Sequence, residues 1–321
     1  MYPLKIGVIG VGFWGRNHVR VFSEISDVQI EAVCDIDYER AKQVASKYNI
    51  KNFYSSLDDV LRRHELDAVS ICTPSVTHSE LTIKSLEAGV NVLVEKPLAS
   101  TIEECFKIVD AVKSSGKKVM VGFIERFNPA VRKAKELLNG GEIGDVIVTH
   151  SRRIGWWPER IGDVGVVKDT AIHDIDLARY IFCHEPTSVY ARGGRQKHSR
   201  LEDHVQAIIS FGEEEEMAFI EANWLTPRKK REMFITGSSG VITIQFLTQQ
   251  IVIEKAEMVT EPIMKYEEPL KIELTSFVEC LRNNVKPSPD EIDGMKAVAI
   301  AESILESIQK NRVVHIDLKD I

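Results

Sequence analysis

The sequence predicts a two-part α/β chain: a doubly wound parallel sheet over residues 1–122, then an α+β domain over 123–321 built on a large, mostly antiparallel open sheet. Three observations predict it. Short β-branched apolar runs alternate with helical segments up to residue 121. The first of these runs leads straight into a glycine-spaced turn. After Gly122, strand-like runs follow one another with few helices between them.

In the first part the runs are Lys5–Ile9, Ile30–Cys34, Ala68–Cys72, Val90–Val94 and Lys118–Val121. Each is too short for a helix and apolar on both faces, as strands covered on both sides of a parallel sheet should be. Between them, Thr101–Ser115 carries Ile102, Cys105, Phe106, Val109 and Val112 at helical spacing, with weaker helical stretches at Asp58–Arg63 and Ser79–Ala88. In the second part a basic helical stretch, Pro129–Asn139, stops at Asn-Gly-Gly. Strands are expected at Val146–Arg152, Thr187–Arg192, His204–Phe211, Met217–Trp224, Glu232–Thr236, Val241–Phe246 and Gln250–Ile253. A helix over Asp169–Cys183 interrupts them, and a closing helix carries Ala297, Ile300, Ala301, Ile304, Leu305 and Ile308 on one stripe.

The bulk composition sets limits. With 321 residues, 44% hydrophobic and 28% charged, the chain has the profile of a globular protein with room for two cores. A net charge of −7 argues against nucleic acid as a partner, and the short basic run Arg228–Arg231 reads as a solvated turn. Five cysteines without a Cys-x-x-Cys pair read as reduced thiols. No apolar stretch approaches a membrane span, and the N-terminus runs directly into a strand without a signal peptide, so the expected location is the cytoplasm.

The turn after the first strand reads Gly10-Val11-Gly12-Phe13-Trp14-Gly15 and opens a helix. Gly10 permits the tight turn, Gly12 lets backbone approach a pyrophosphate, and Gly15 lets helix and strand pack closely. The pyrophosphate would then sit at the helix N-terminus, where N–H groups and the macrodipole favour anions. Asp35, about 20 residues on, ends the second strand, where an acid bonds the ribose hydroxyls. This is a Rossmann dinucleotide site. Asp35 and Asp37 together would repel a 2′-phosphate, which favours NAD over NADP, although Arg40 is close in sequence.

Three more clusters fall at strand ends or helix starts: Thr73-Pro74 with His78, Glu95-Lys96-Pro97, and Asp169, His173 and Asp176. The first two lie where open α/β sheets bind ligands. The third spaces its members at i, i+4 and i+7, on one helix face. With the glycine loop and the Gly122–Pro129 segment (Gly-Phe-Ile-Glu-Arg-Phe-Asn-Pro), these motifs resemble, over essentially the whole chain, the glucose–fructose oxidoreductase/inositol dehydrogenase (Gfo/Idh/MocA) family. The resemblance implies oxidation of a secondary hydroxyl of a sugar or cyclitol, or the reverse, with hydride passing to or from the nicotinamide. It implies catalytic roles for Lys96, Asp169 and His173, a cis peptide before Pro97, and cofactor contacts from Gly10, Gly12, Phe13, Trp14, Gly15, Asp35, Thr73, Pro74, His78, Glu95 and Lys96. It also implies a homodimer or homotetramer formed through the second domain's sheet.

The chemistry agrees with those roles. Alcohol oxidation needs a base on the hydroxyl, and an ordinary imidazole titrates near working pH, which suits His173. Lys96 can stabilise the developing alkoxide, Asp169 can hold a substrate hydroxyl or tune His173, and Asp176 can orient the ring. Taken alone, the helix admits a core histidine with Asp176 as its partner, and the three side chains admit a metal site; no metal is expected, since no second histidine or cysteine stands at ligand spacing. The segment Ile161–Asp169 departs from the family, whose members often carry a glycine run there.

The stretch Arg152–Gly165 resembles a subgroup that includes UDP-N-acetylglucosamine 3-dehydrogenases. A nucleotide sugar needs cations for its diphosphate and a shelf for its base. Arg152, Arg153, Arg160 and the Trp156-Trp157 pair could supply both, and the Glu125–Pro129 segment fits the subgroup as well; the candidate substrate residues are Arg126, Asn128, Arg153, Trp157, Arg160 and Asp176. Alternatively the arginines are solvated and the tryptophans pack on the sheet. The competing functions are a dehydrogenase of a free sugar or cyclitol such as myo-inositol, and an NAD-binding regulator without turnover.

Overall fold

The computed structural model describes residues 2–157, 162–212 and 215–318. In chain order the first elements are β1 (Leu4–Ile9), α1 (Gly15–Glu24), β2 (Val28–Cys34), α2 (Tyr38–Lys47), β3 (Asn52–Tyr54), α3 (Leu57–Arg63), β4 (Ala68–Ile71), α4 (His78–Glu87), β5 (Asn91–Glu95), α5 (Ile102–Ser115) and β6 (Val119–Gly122). They are followed by α6 (Pro129–Asn139), β7 (Val146–Trp156), α7 (Ile172–Phe182), β8 (Pro186–Gly194), β9 (His204–Phe211), β10 (Glu216–Asn223), β11 (Leu225–Gly237), β12 (Gly240–Gln245), β13 (Gln250–Lys255) and β14 (Met258–Thr260). The chain closes with α8 (Pro269–Arg282), α9 (Glu291–Lys310) and β15 (Val314–His315).

These elements form two compact units. The first comprises Met1–Gly122 with Leu270–Met295, and the second Phe123–Pro269 with Lys296–Ile321. The sequence reading has no counterpart for the return of 270–295 to the first unit. Its basis is local: Val121 donates a backbone hydrogen bond to the Pro289 carbonyl at 3.1 Å. A Cβ on Gly294 would lie 2.8 Å from Val121 and 2.9 Å from Leu98, so only glycine lets the start of α9 pack this closely behind the strand ends.

The first unit is a six-stranded parallel sheet in the order β3-β2-β1-β4-β5-β6. The order reverses between β1 and β4, and there the carboxyl ends of the strands open a ligand crevice. β4 and the last four residues of β1 and β5 are buried throughout, which is why they read as uninterrupted apolar runs. α5 begins with a capping box: Thr101 accepts from the Glu104 amide while Glu104 accepts from the Thr101 amide. It ends at Gly116 in the left-handed region, φ 65°. β3, three half-buried residues at the sheet edge, carries too little apolar periodicity to be read from sequence.

The second unit is a nine-stranded sheet in the order β14-β13-β12-β11-β7-β10-β9-β8-β15. All its pairs are antiparallel except β7 with β10. Ala130, Val131 and Ala134 of α6 and Leu177 and Ile181 of α7 pack on Met233, Ile235, Ile242, Ile244 and Ile251 of one sheet face. Along β9, Val205, Ala207, Ile209 and Phe211 are buried and alternate with more open residues, the half-covered pattern the sequence shows. Among the described residues no helix is long and apolar enough to cross a membrane.

Candidate active site

The cofactor half is built in the first unit. Gly10 has φ +83°, and a Cβ there would lie 2.9 Å from the Cys72 carbonyl carbon and oxygen. A Cβ on Gly15 would fall 1.8 Å from the Gly10 carbonyl oxygen, so helix and strand could not meet with any other residue. Gly12 differs: nothing lies within 4 Å of its Cβ position. Its side-chain direction is open space at the start of α1, a helix with neither a side-chain cap nor an acid in its first turn. That is the cradle a pyrophosphate fits, and a Cβ would fill it.

Asp35 stands at the end of β2, 5% exposed. Its Oδ2 accepts from the Val11 amide at 3.0 Å, while Oδ1 accepts from the Asp37 amide at 3.0 Å and from Arg40 at 2.9 Å. Asp35 therefore fixes the glycine turn. Arg40 also pairs with Asp37 at 3.1 Å, so the two carboxylates expected to repel a 2′-phosphate share one guanidinium. Phe13 is 70% exposed beside the turn, whereas the Trp14 indole turns inward.

At the ends of β4 and β5 the side chains mostly brace one another. Thr77 donates to the Thr73 hydroxyl at 2.7 Å, closing the turn through Pro74. His78, 1% exposed, sets Nδ1 2.7 Å from the Pro97 carbonyl and Nε2 2.9 Å from the Thr73 carbonyl. His78 is the first residue of α4, and both its ring nitrogens face backbone carbonyls, so it ties the Thr73 turn to the Glu95–Pro97 turn. The Lys96–Pro97 peptide is cis. The Glu95 carboxylate, also expected at the cofactor, is buried, and its Oε1 accepts from the Trp14 indole and faces His18 Nε2 at 3.0 Å. Burial resists its ionisation, yet the hydrogen bond and charge of His18, with Lys96 and Trp14, hold it below the usual carboxylate range.

The residues expected at the substrate lie in the second unit. The residues read as one helix over Asp169–Cys183 form a π-helical turn, Val167–Ala171, running into α7. The wide turn carries Asp169 and α7 carries His173, which are 8% and 9% exposed. Thr170 donates to Asp169 Oδ2 at 3.1 Å and itself accepts from the Trp224 indole at 2.8 Å. Neither Thr170 nor Trp224 stands out as a site residue in the sequence; their only signal is adjacency to Asp169 and to the end of a predicted strand.

Three of the candidate substrate residues, Arg126, Arg153 and Asp176, are held in buried ion pairs. Arg126 forms a two-pronged pair with Asp176, at 2.7 and 2.6 Å, with side chains 8% and 1% exposed. Arg153 pairs in the same way with Asp174 at 3.0 and 2.9 Å and also donates to Glu125 at 2.7 Å. Asn128 caps α6 by accepting from the Ala130 amide and donates to the Phe246 carbonyl. Each of these arginines faces a buried carboxylate whose charge cannot be left alone. Arg152 pairs across the sheet with Glu221 at 3.0 Å and Glu232 at 3.9 Å.

Burial works against the charge of Glu125, but Arg153 and Arg231 outweigh it and hold the carboxyl below its usual range. Trp157 stacks on His198, with centroids 5.0 Å apart and planes 9° apart, and meets Trp224 edge-on. Arg160 lies outside the described residues. Among the described residues no group of three or more His, Cys, Asp or Glu side chains could hold a metal ion.

A glycine turn that leaves room for a pyrophosphate, at the reversal point of a parallel sheet, defines a dinucleotide-binding protein. Comparison with known proteins names the class. Residues 4–123 match the oxidoreductase family with an NAD-binding Rossmann fold, and residues 131–243 match the GFO/IDH/MocA C-terminal domain. An uncharacterised oxidoreductase of Streptococcus pneumoniae is 32% identical over 75% of this chain and 68% of its own length. Inositol 2-dehydrogenase 3 of Saccharopolyspora erythraea is 29% identical over 99% of this chain and 96% of its own. The solved structure of UDP-N-acetylglucosamine 3-dehydrogenase from Acidithiobacillus ferrooxidans is 26% identical, with a TM-score of 0.88 over 97% of this chain and 99% of that one. The chain belongs to the Gfo/Idh/MocA family: it is an NAD-dependent oxidoreductase, of a family whose named relatives include dehydrogenases of sugars and cyclitols.

Proposed function

We propose that this enzyme oxidises a secondary hydroxyl on an uncharged polyol ring, a free sugar or cyclitol. The observation that carries this reading is the pairing of Arg126 with Asp176 and of Arg153 with Asp174 and Glu125, which commits these two arginines, among the described residues, to buried carboxylates. The cyclitol dehydrogenase among its relatives supports the same choice. A nucleotide sugar is the second reading. It is favoured by the UDP-N-acetylglucosamine 3-dehydrogenase structure and by Trp156, 62% exposed with Lys197 3.6 Å above its ring.

In this reading NAD, when bound, supplies the hydride acceptor, with the Gly10–Gly15 turn and Asp35 holding it. His173 takes the proton from the reacting hydroxyl. Lys96 donates a hydrogen bond to that oxygen and stabilises the negative charge it gains as its proton leaves. Asp169, steadied by Thr170, holds a neighbouring hydroxyl and sets the ring's orientation. The test is absorbance of the reduced nicotinamide with NAD and a panel of myo-inositol, scyllo-inositol, glucose and UDP-N-acetylglucosamine. Turnover of a free polyol, falling by about 100-fold or more in His173→Ala, is the expected result. Turnover of the nucleotide sugar alone would transfer the assignment to the second reading, and tight NAD binding without any turnover would favour a regulator.

A homo-oligomer through the sheet is part of the same proposal. On the sheet face away from α6 and α7, the register aligns Tyr190, Ile208, Phe219, His150, Phe234, Thr243 and Val252 in one row across seven strands. Ile208 and Tyr190 are 39% and 37% exposed, an apolar row suited to a second copy of the same sheet. Ile208→Arg with Phe219→Asp is expected to convert the oligomer to a monomer in light scattering; an unchanged mass would place the interface elsewhere.

A further inference from the structure

The turn that carries Asp169 begins without a cap of its own. Its N-cap residue is Val166, whose side chain caps nothing, and the first amides of any helix find no acceptor within it. Here the acceptors come from about 35 residues away in the chain. The Glu202 carbonyl accepts from the Val166 amide at 3.0 Å, and the Glu202 carboxylate accepts from the Val167 amide at 3.2 Å. Gly165 makes room for this: a Cβ there would stand 2.1 Å from the carboxyl carbon and Oε1 of Glu202. The Gly165 carbonyl in turn accepts from the Asp169 amide at 2.9 Å.

Glu202 is itself held in place by its neighbour. Asp203 is wholly buried, and its Oδ2 accepts from the amides of Gln196, Lys197 and His198 at 2.7, 2.6 and 3.2 Å. Those bonds close the loop between β8 and β9 and fix the Glu202–Asp203 pair at its end. The Asp203 carbonyl accepts from the Trp224 amide at 2.9 Å, and the Trp224 indole donates to Thr170, which donates to Asp169 Oδ2. Two adjacent residues thus reach Asp169 by two routes, one through its backbone and one through its side chain.

We propose that Glu202 is a positioning residue: by capping the turn Val167–Ala171, its carboxyl oxygen fixes the direction in which Asp169 meets the substrate hydroxyl. The proposal rests on the role given to Asp169 above. Burial pushes the Glu202 carboxyl above the usual glutamate range, and the amides of Glu202 and Val167 with the charge of Lys168 only partly oppose this. The cap accordingly needs an acceptor oxygen, which glutamine also supplies, rather than a full charge.

The experiment follows oxidation of the polyol that the full-length wild type turns over. Glu202→Ala is expected to lower kcat/KM by about 10- to 100-fold, with the NADH dissociation constant within about twofold of the wild type. Glu202→Gln is expected to keep at least about a third of wild-type kcat/KM. Gly165→Ala should lose about as much as Glu202→Ala, because its Cβ takes the place of the carboxyl group. The Gly165→Ala/Glu202→Ala double variant should be no worse than either single one, whereas independent effects would multiply. In an Asp169→Ala chain, Glu202→Ala should cost less than about threefold, since the side chain it positions is gone. Amide exchange over residues 166–170 reads the cap without substrate: it should quicken at least about tenfold in Glu202→Ala and stay near the wild-type rate in Glu202→Gln. Full kcat/KM in Glu202→Ala, a glutamine no better than alanine, multiplied losses in the double variant, or an Asp169→Ala chain still sensitive to residue 202 would overturn the proposal. Failure of the dehydrogenase reading would show instead as a wild type silent with every polyol, while the exchange rates still judge the cap.

Discussion

Valine at Gly12 is expected to abolish NAD binding while leaving the protein folded, and valine at Gly15 is expected to prevent folding of the first unit. The contrast follows from what each Cβ would meet. At Gly12 there is nothing within 4 Å, so Gly12→Val adds atoms only where the pyrophosphate belongs. A loss of at least about 100-fold in NAD affinity, about 2.7 kcal/mol, is expected with the melting temperature unchanged. At Gly15 the Cβ would lie 1.8 Å from the Gly10 carbonyl oxygen, which cannot move without breaking its turn. Relief requires α1 to withdraw from β1, exposing Val19 and Phe22, both fully buried. Calorimetry with NAD titration checks both. Normal affinity in Gly12→Val would mean that the cofactor enters elsewhere, and a wild-type melting curve for Gly15→Val would mean that the turn is looser than drawn.

The second large effect is expected at Arg153. Its guanidinium, 2% exposed, holds Asp174 by two hydrogen bonds and Glu125 by a third. Arg153→Met fills a similar volume but strands two buried carboxylates, a loss of about 3–5 kcal/mol. For a domain of this size that lowers the melting transition of the second unit by roughly 10 °C. If the arginine is structural, KM for the polyol at a temperature where the variant stays folded remains near the wild-type value. If Arg153 instead binds substrate, stability holds and KM rises. The same pair predicts an acid limb of unfolding. Glu125 is held below its unfolded value of 4.5, so it contributes stability above that pH and loses it as pH falls through the folded value. Denaturant titrations from pH 6 to 3 should show this slope in the wild type and a shallower one in Glu125→Gln.

The elements most legible in the sequence are those whose periodicity reports their own burial. The central strands of the parallel sheet read as apolar runs because helices cover both faces, and β9 reads as alternating because one face is open. The glycine turn is legible because its constraints are local: three positions within six residues, each required by backbone it touches or approaches. α8 and the return of 270–295 are not legible, since nothing in that segment names the surface it packs on. His18 carried a faint signal. It stands four residues from both Trp14 and Phe22, on the buried face of α1, and a histidine there must find partners.

By itself, then, the sequence determined the alternation of strands and helices, the dinucleotide turn, and the family to which the motifs belong. Only the tertiary structure decided which charges face each other. Arg126 meets Asp176 from 50 residues away, Arg153 meets Glu125 from 28, and Glu95 meets His18 from 77. The physical reason is that a periodic pattern encodes which face of an element is buried, whereas the partner of a buried charge depends on where other elements bring their side chains. Arginines and acids that look in the sequence like a ligand site can therefore prove to be each other's counter-ions.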